Sequence, residues 1–269
     1  MSESGPPPEH SASDSIRREV DGIDQTLLAL VAQRLRLGEN LARAPRPGPP
    51  IEPAGEIKLV RRLLSIAPAG AEPELILELW RALIAAGIRR QRVIDVAVGG
   101  ARSDPSRLFD IARRHFGART RIAHVGDPQT ALARAAEHPE TCVAVTPWPS
   151  APGVGSWWPA LSESRFHKLH LVAGLPLMGG ASDNPEACVF SCGLNEEAGK
   201  DVSLLLIDDP HHRLQRALND AGLTGREVAR SEPRALIRVE GFLAADDPRA
   251  KAMASMVERV RVLGSYAPI

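Results

Sequence analysis

An apolar stripe near the start constrains this chain more than anything else in it. Ile16, Val20, Ile23, Leu27, Leu30, Arg34, Leu37 and Leu41 recur at alternating spacings of four and three. That heptad-like spacing predicts one amphipathic helix of roughly thirty residues. Ser13, Asp14 or Ser15 can cap its start. The run Ala44-Pro45-Arg46-Pro47-Gly48-Pro49-Pro50 ends it, because proline removes backbone donors and clashes with the preceding turn. So long and narrow a stripe cannot be covered by short neighbours in its own chain. A helical bundle or a dimer is expected.

The 269 residues allow about two domains. Lys+Arg and Asp+Glu are equal at 33 each, which argues against a nucleic-acid or membrane-surface partner. No apolar run reaches the roughly 18 residues needed to span a bilayer. Residues 1–13 lack a basic segment followed by an apolar one, and read as a disordered leader rather than a secretory signal. The three cysteines, Cys142, Cys188 and Cys192, are odd in number and suit a reducing cytoplasm. Lysine occurs only at positions 58, 168, 200 and 251, so arginine supplies nearly all the positive charge.

Three regions follow from the texture, in an α+β chain. Residues 14–92 carry the long helix and two shorter ones, Glu56–Ile66 and Glu74–Arg90, with no strand signal. Residues 93–200 alternate strand and helix as a small α/β lobe: VIDVAV, a helix through Phe116, TRIAHV, a helix over Pro128–Glu137, then CVAVTP. A Trp-, Pro- and Gly-rich loop leads to two further strands, LHLVAGL and ACVFSCGL. Residues 201–269 read β-α-β-β-α-β, a ferredoxin-like unit, with helices over Pro210–Asp220 and Asp247–Glu258.

Arg34 is the one charge inside the apolar stripe. A buried guanidinium needs an anion, either an acidic residue such as Glu56 or an anionic ligand in a cavity. Gln91, at the end of the third helix, could donate to a ligand oxygen or merely terminate the helix. His167 and His170 lack the partners of a metal site. Cys188 and Cys192 read as core, and His211-His212 as a solvated turn. Trp157-Trp158 could form an exposed platform or a lid over the lobe's core.

The pattern S-I-R17-x-x-V-x-x-I-D24-x-x-L-L-x-L-x-x-x-R34 resembles the first helix of the all-helical, AroQ-type chorismate mutases. Pro-Ile-x-Pro-x-x-Glu56 and L-W-R-A-L-I-x-x-x-I-x-x-Q91 resemble the second and third helices of that family. The resemblance implies an intertwined helical homodimer that rearranges the dicarboxylate chorismate to prephenate without a cofactor. Such a catalyst must clamp two carboxylates and place donors at the breaking ether oxygen. By resemblance, Arg17 from the partner subunit and Arg34 bind the carboxylates. Gln91 serves the ether oxygen, and Glu56 holds the substrate hydroxyl. The family's lysine falls on Pro45, its second-helix arginine on Gly55 and its third-helix serine on Gly87. Arg43 or Arg46 could replace the lysine. These departures leave a second reading, a catalytically inactive regulator or partner subunit with the mutase fold.

The remainder resembles prephenate dehydratase followed by its ACT regulatory domain. Arg114-His-Phe-Gly117, V-A-V-T-P, L-P-L and L-G-S-Y (Leu263–Tyr266) carry that resemblance. The dehydratase signature Thr-Arg-Phe falls at or near Ala187-Cys188-Val189, and the second of the family's two lobes is missing, so no dehydratase activity is expected. Pro210-His211-His212-Arg213-Leu214 and Arg230-Ser231-Glu232-Pro233 stand where the ACT effector motifs would be.

Overall fold

The computed structural model describes residues 9–41, 47–100, 105–149, 157–178 and 184–269. The chain divides into two compact units, Met1–Ala44 and Pro45–Ile269.

The first unit is one helix, α1 (Glu9–Leu41). It starts earlier than Ser13–Ser15 and takes in the last residues of the expected leader, because nothing between Glu9 and Ile16 breaks a helix. Ser13, Asp14 and Ser15 lie inside it and cap nothing. Residues 1–8 lie outside the described residues.

The second unit is built on one nine-stranded sheet in the order β2-β1-β3-β5-β4-β9-β6-β8-β7. Its first half comprises β1 (Asp95–Val98), β2 (Arg121–His124), β3 (Cys142–Pro147), β4 (His170–Leu175) and β5 (Ala187–Ser191). β1 runs parallel to β2 and β3, and β5 runs antiparallel to β3 and β4. The second half comprises β6 (Val202–Asp208), β7 (Gly225–Ser231), β8 (Arg234–Glu240) and β9 (Arg259–Tyr266), paired antiparallel throughout. Its order β9-β6-β8-β7 is the ferredoxin-like arrangement expected from the sequence.

Helices cover both faces. Alternate residues of one strand serve different cores, as the two-residue period of a strand requires. On β3, Val143 and Val145 face α2 (Pro53–Ile66), α3 (Pro73–Gln91) and α4 (Pro105–Phe116). Cys142 and Ala144 face α5 (Pro128–Glu137) and the buried pair Trp157 and Trp158. The tryptophans are therefore core, not an exposed platform. On β6, Leu205 and Ile207 face α6 (Leu214–Asp220) and α7 (Pro248–Met253). Leu204 and Leu206 join the tryptophan core. That core is continuous behind both halves of the sheet.

Helices α2 and α3 share a core with the sheet through Ile57, Ile84 and Ile88. Helix α6 begins at Leu214 rather than Pro210, because the buried Asp209 carboxylate accepts from the N–H groups of Arg213 (2.7 Å) and Leu214 (3.2 Å). Helix α7 also stops early, at Met253.

Three arginines bind the layers together through carbonyls. Arg61 of α2 donates to the carbonyls of Ala198 (3.0 Å), Gly199 and Pro268. Arg261 of β9 donates to those of Leu161, Phe166 (2.6 Å) and Leu169 (3.2 Å). Burial lowers the Arg261 pKa to about 10. The third arginine belongs to the candidate site.

Candidate functional site

The residues singled out in the sequence fall on both units. On α1, Arg17 is exposed and pairs with Asp14 at 3.4 Å, an exposed ion pair of little energetic weight. Arg34 is partly buried, and that burial pushes its pKa down. Around them the stripe stays open: Ile16 is 62% exposed, Ile23 54% and Leu30 56%.

In the second unit, Glu56 lies in the first turn of α2, where the helix dipole favours a carboxylate. Pro53 opens the helix, its missing N–H costing nothing there. One Glu56 oxygen accepts from the Glu52 N–H (3.3 Å), and the other accepts from Arg81 of α3. The Arg81 side chain is 6% exposed and that of Glu56 11%. The Arg81 Nε and Nη2 both donate to the His115 carbonyl at the end of α4, at 3.0 and 2.7 Å. One guanidinium thus ties α2, α3 and α4, using the planar fork that lysine lacks.

Glu56 therefore has its counter-ion within its own unit, in Arg81. Gln91 is the last residue of α3 and is exposed. Arg43, Arg46 and Pro45 lie outside the described residues. At Gly87 a Cβ would meet nothing within 4 Å, and at Gly55 only the Glu52 side chain.

Arg81 escaped the sequence reading although its signal was present. It shares a buried helical face with Ile84, Ala85 and Ile88, so it is a cation inside an apolar stripe, as Arg34 is. His115 has no comparable mark. It follows from α4 packing on α3, which no local pattern encodes.

Arg81 and His115 lie at a cavity of about 440 Å³ between α3, α4 and the segment after β4. Arg107 and Glu186 form an ion pair at 2.6 Å beside it. Burial, with the Arg81 charge second, holds the His115 pKa well below the usual imidazole range. The imidazole is neutral at pH 7. The folded pKa lies below the unfolded one, so this stability is complete above about pH 6.5 and is lost as pH falls below it. Urea midpoints are expected to drop between pH 7.5 and 5.0, and less steeply in His115→Gln; equal slopes would contradict this. His170, shifted down in the same direction by burial and then Arg261, accounts for part of the residual slope.

The other singled-out groups are structural. Cys188 is fully buried, and burial raises its thiol pKa and lifts that of Cys142 to about 11, which keeps both unreactive. Among the described residues no group of three or more His, Cys, Asp or Glu could hold a metal ion. His211 and His212 are exposed. Arg230 pairs with the buried Asp209 at 3.3 Å and with Glu227 at 2.7 Å, so the guanidinium is occupied by ion pairs within its own fold.

Residues 16–92 match the family model of chorismate mutase type II. No curated protein matches the chain. Among solved structures, a quorum quenching acylase, GqqA, is 18% identical with a TM-score of 0.43, over 65% of this chain and 95% of that one. Prephenate dehydratase from Streptococcus mutans is 16% identical with a TM-score of 0.43, over 65% of this chain and 97% of that one. Among the described residues no helix is long and apolar enough to cross a membrane.

Proposed function

We propose that this chain is a cytoplasmic, homodimeric chorismate mutase of aromatic amino-acid biosynthesis, its site shared between two subunits. The match of residues 16–92 to chorismate mutase type II carries the reading. Two features of α1 support it. The open stripe calls for a second helix, and another copy of α1 supplies a matching one. Arg17 and Arg34 are also separated by about 25 Å along the helix axis at 1.5 Å per residue. That distance exceeds the span of a small dicarboxylate, so one subunit cannot clamp it with both arginines. Two antiparallel copies can.

In this site Arg34 and the partner subunit's Arg17 fork the two carboxylates and hold chorismate folded, with its reacting carbons in contact. Gln91 donates to the ether oxygen as negative charge grows there. Glu56 accepts the substrate hydroxyl, its carboxylate oriented by Arg81. Arg43 or Arg46 supplies the cation that Pro45 cannot. No covalent intermediate forms and no cofactor takes part.

The β5 positions Ala187, Cys188 and Val189 are at most 1% exposed and cannot touch a substrate, which supports the absence of dehydratase activity. The ferredoxin-like half then acts as an ACT-like module.

Chorismate loss, followed by absorbance with purified protein, tests the reading. Arg17→Ala and Arg34→Ala are each expected to lower the rate by at least about 10². Co-expressed, they should recover about a quarter of wild-type activity, since half the dimers are mixed and each mixed dimer keeps one intact site. Absence of catalysed loss from a folded dimer rejects the enzyme. The second reading, an inactive regulator, then stands on Pro45, Gly55 and Gly87.

A further inference from the structure

We propose that the cavity between α3 and α4 binds a small zwitterion with an apolar body, in the class of free α-amino acids with long side chains. The inference does not depend on the mutase reading.

Size comes first. About 440 Å³ lies within the range of pockets that hold small organic ligands. The wall is apolar where Leu77, Ile111, Leu175, Leu177 and Met178 meet, and this surface suits a hydrocarbon body.

The polar groups define the other end of the ligand. His115 is 9% exposed, lines the cavity, and its ring nitrogens make no hydrogen bond among the described residues. An imidazole that lines a cavity in this way offers a ring nitrogen to hydrogen-bond a ligand atom there. Arg114 lines the rim from α4, is exposed, and forms no ion pair among the described residues. Glu74 and Glu78 line it from α3, one helical turn apart, and Asp110 joins them from α4. Arg107 is already committed to Glu186, and Arg81 to Glu56 and the His115 carbonyl.

Both signs are therefore presented at one mouth. A simple carboxylate would meet Arg114 but also three carboxylates. A simple amine would meet the carboxylates but also Arg114. Only a ligand carrying both charges close together satisfies the rim without a like-charge contact. The ammonium then sits toward Glu74 and Glu78, the carboxylate toward Arg114, and the chain lies on the apolar wall.

Titration calorimetry on the full chain, at low salt, isolates each element with three probes. L-2-aminooctanoate carries both charges, octanoate lacks the ammonium, and heptylamine lacks the carboxylate. The zwitterion is expected to bind at least about tenfold tighter than either single-charge analogue. Arg114→Glu should weaken it by about tenfold or more, while Arg114→Lys stays within about threefold. Both substitutions are on an exposed rim and leave the core intact, which circular dichroism checks. Octanoate or heptylamine binding as tightly as the zwitterion would overturn the assignment. So would an unchanged affinity in Arg114→Glu, or no heat from the zwitterion at about 10 mM, far above the affinity of a built site.

Discussion

Arg81→Leu is expected to destabilise the second unit by about 3–5 kcal/mol, because it strands the buried Glu56 carboxylate and leaves the His115 carbonyl without its two donors. The lower end applies, since Glu56 keeps the Glu52 N–H and the favourable end of the α2 dipole. Arg81→Leu combined with Glu56→Leu removes both charges from a site bordered by Ile57, Ile84 and Ile88. The pair is expected to recover most of the loss. Arg81→Lys should fall between, since an ammonium replaces one contact and not the fork. Urea denaturation of the four proteins reads the cycle. An Arg81→Leu midpoint equal to wild type would show that α2 and α3 are held to the sheet by apolar contact alone. For the proposed mutase the same variant has a second consequence: Glu56 would lose its orientation even where the fold survives.

The second large effect is expected at Gly264. Strands β4 and β9 join the two halves of the sheet through a single registered pair, Leu171 with Gly264. The glycine has φ +130, and a Cβ there would lie 2.2 Å from the Leu171 carbonyl oxygen and 2.7 Å from its nitrogen. Backbone atoms cannot yield as a flexible side chain can. Gly264→Ala combines a strained backbone with a direct clash and is expected to cost about 3–5 kcal/mol, or to abolish soluble protein. Gly241→Ala is the control, because Gly241 has φ +89 with nothing within 4 Å of a Cβ. It carries the conformational cost without the clash, about 1 kcal/mol. Thermal midpoints of the two variants separate these terms. Equal shifts would mean that the two halves can part at this strand without loss.

Elements with their own periodicity were legible in the sequence. The α1 stripe, the strand CVAVTP and the helix over Pro128–Glu137 needed only neighbours along the chain to define them. Ends fixed by distant or buried groups were not, and α6 shows it: its start depends on Asp209 turning inward, five residues before the helix begins. Trp157 and Trp158 were ambiguous for a similar reason. Their exposure depended on whether Phe190 and Leu204 from later strands would lie beneath them.

The candidate site divides in the same way. Resemblance of the sequence to the mutase pattern is what singled out Arg17, Arg34, Glu56 and Gln91 as the proposed substrate contacts. Sequence alone determined the βαββαβ order, which the strand and helix periods announce directly. Only the tertiary structure decided that α2 and α3 pack on the sheet, that Glu56 has Arg81 for its counter-ion, and that Arg81 and His115 meet at a cavity. Local pattern records which face of an element is apolar. Which other element covers that face, and which buried charge finds its partner there, is settled by contacts between residues far apart in the chain.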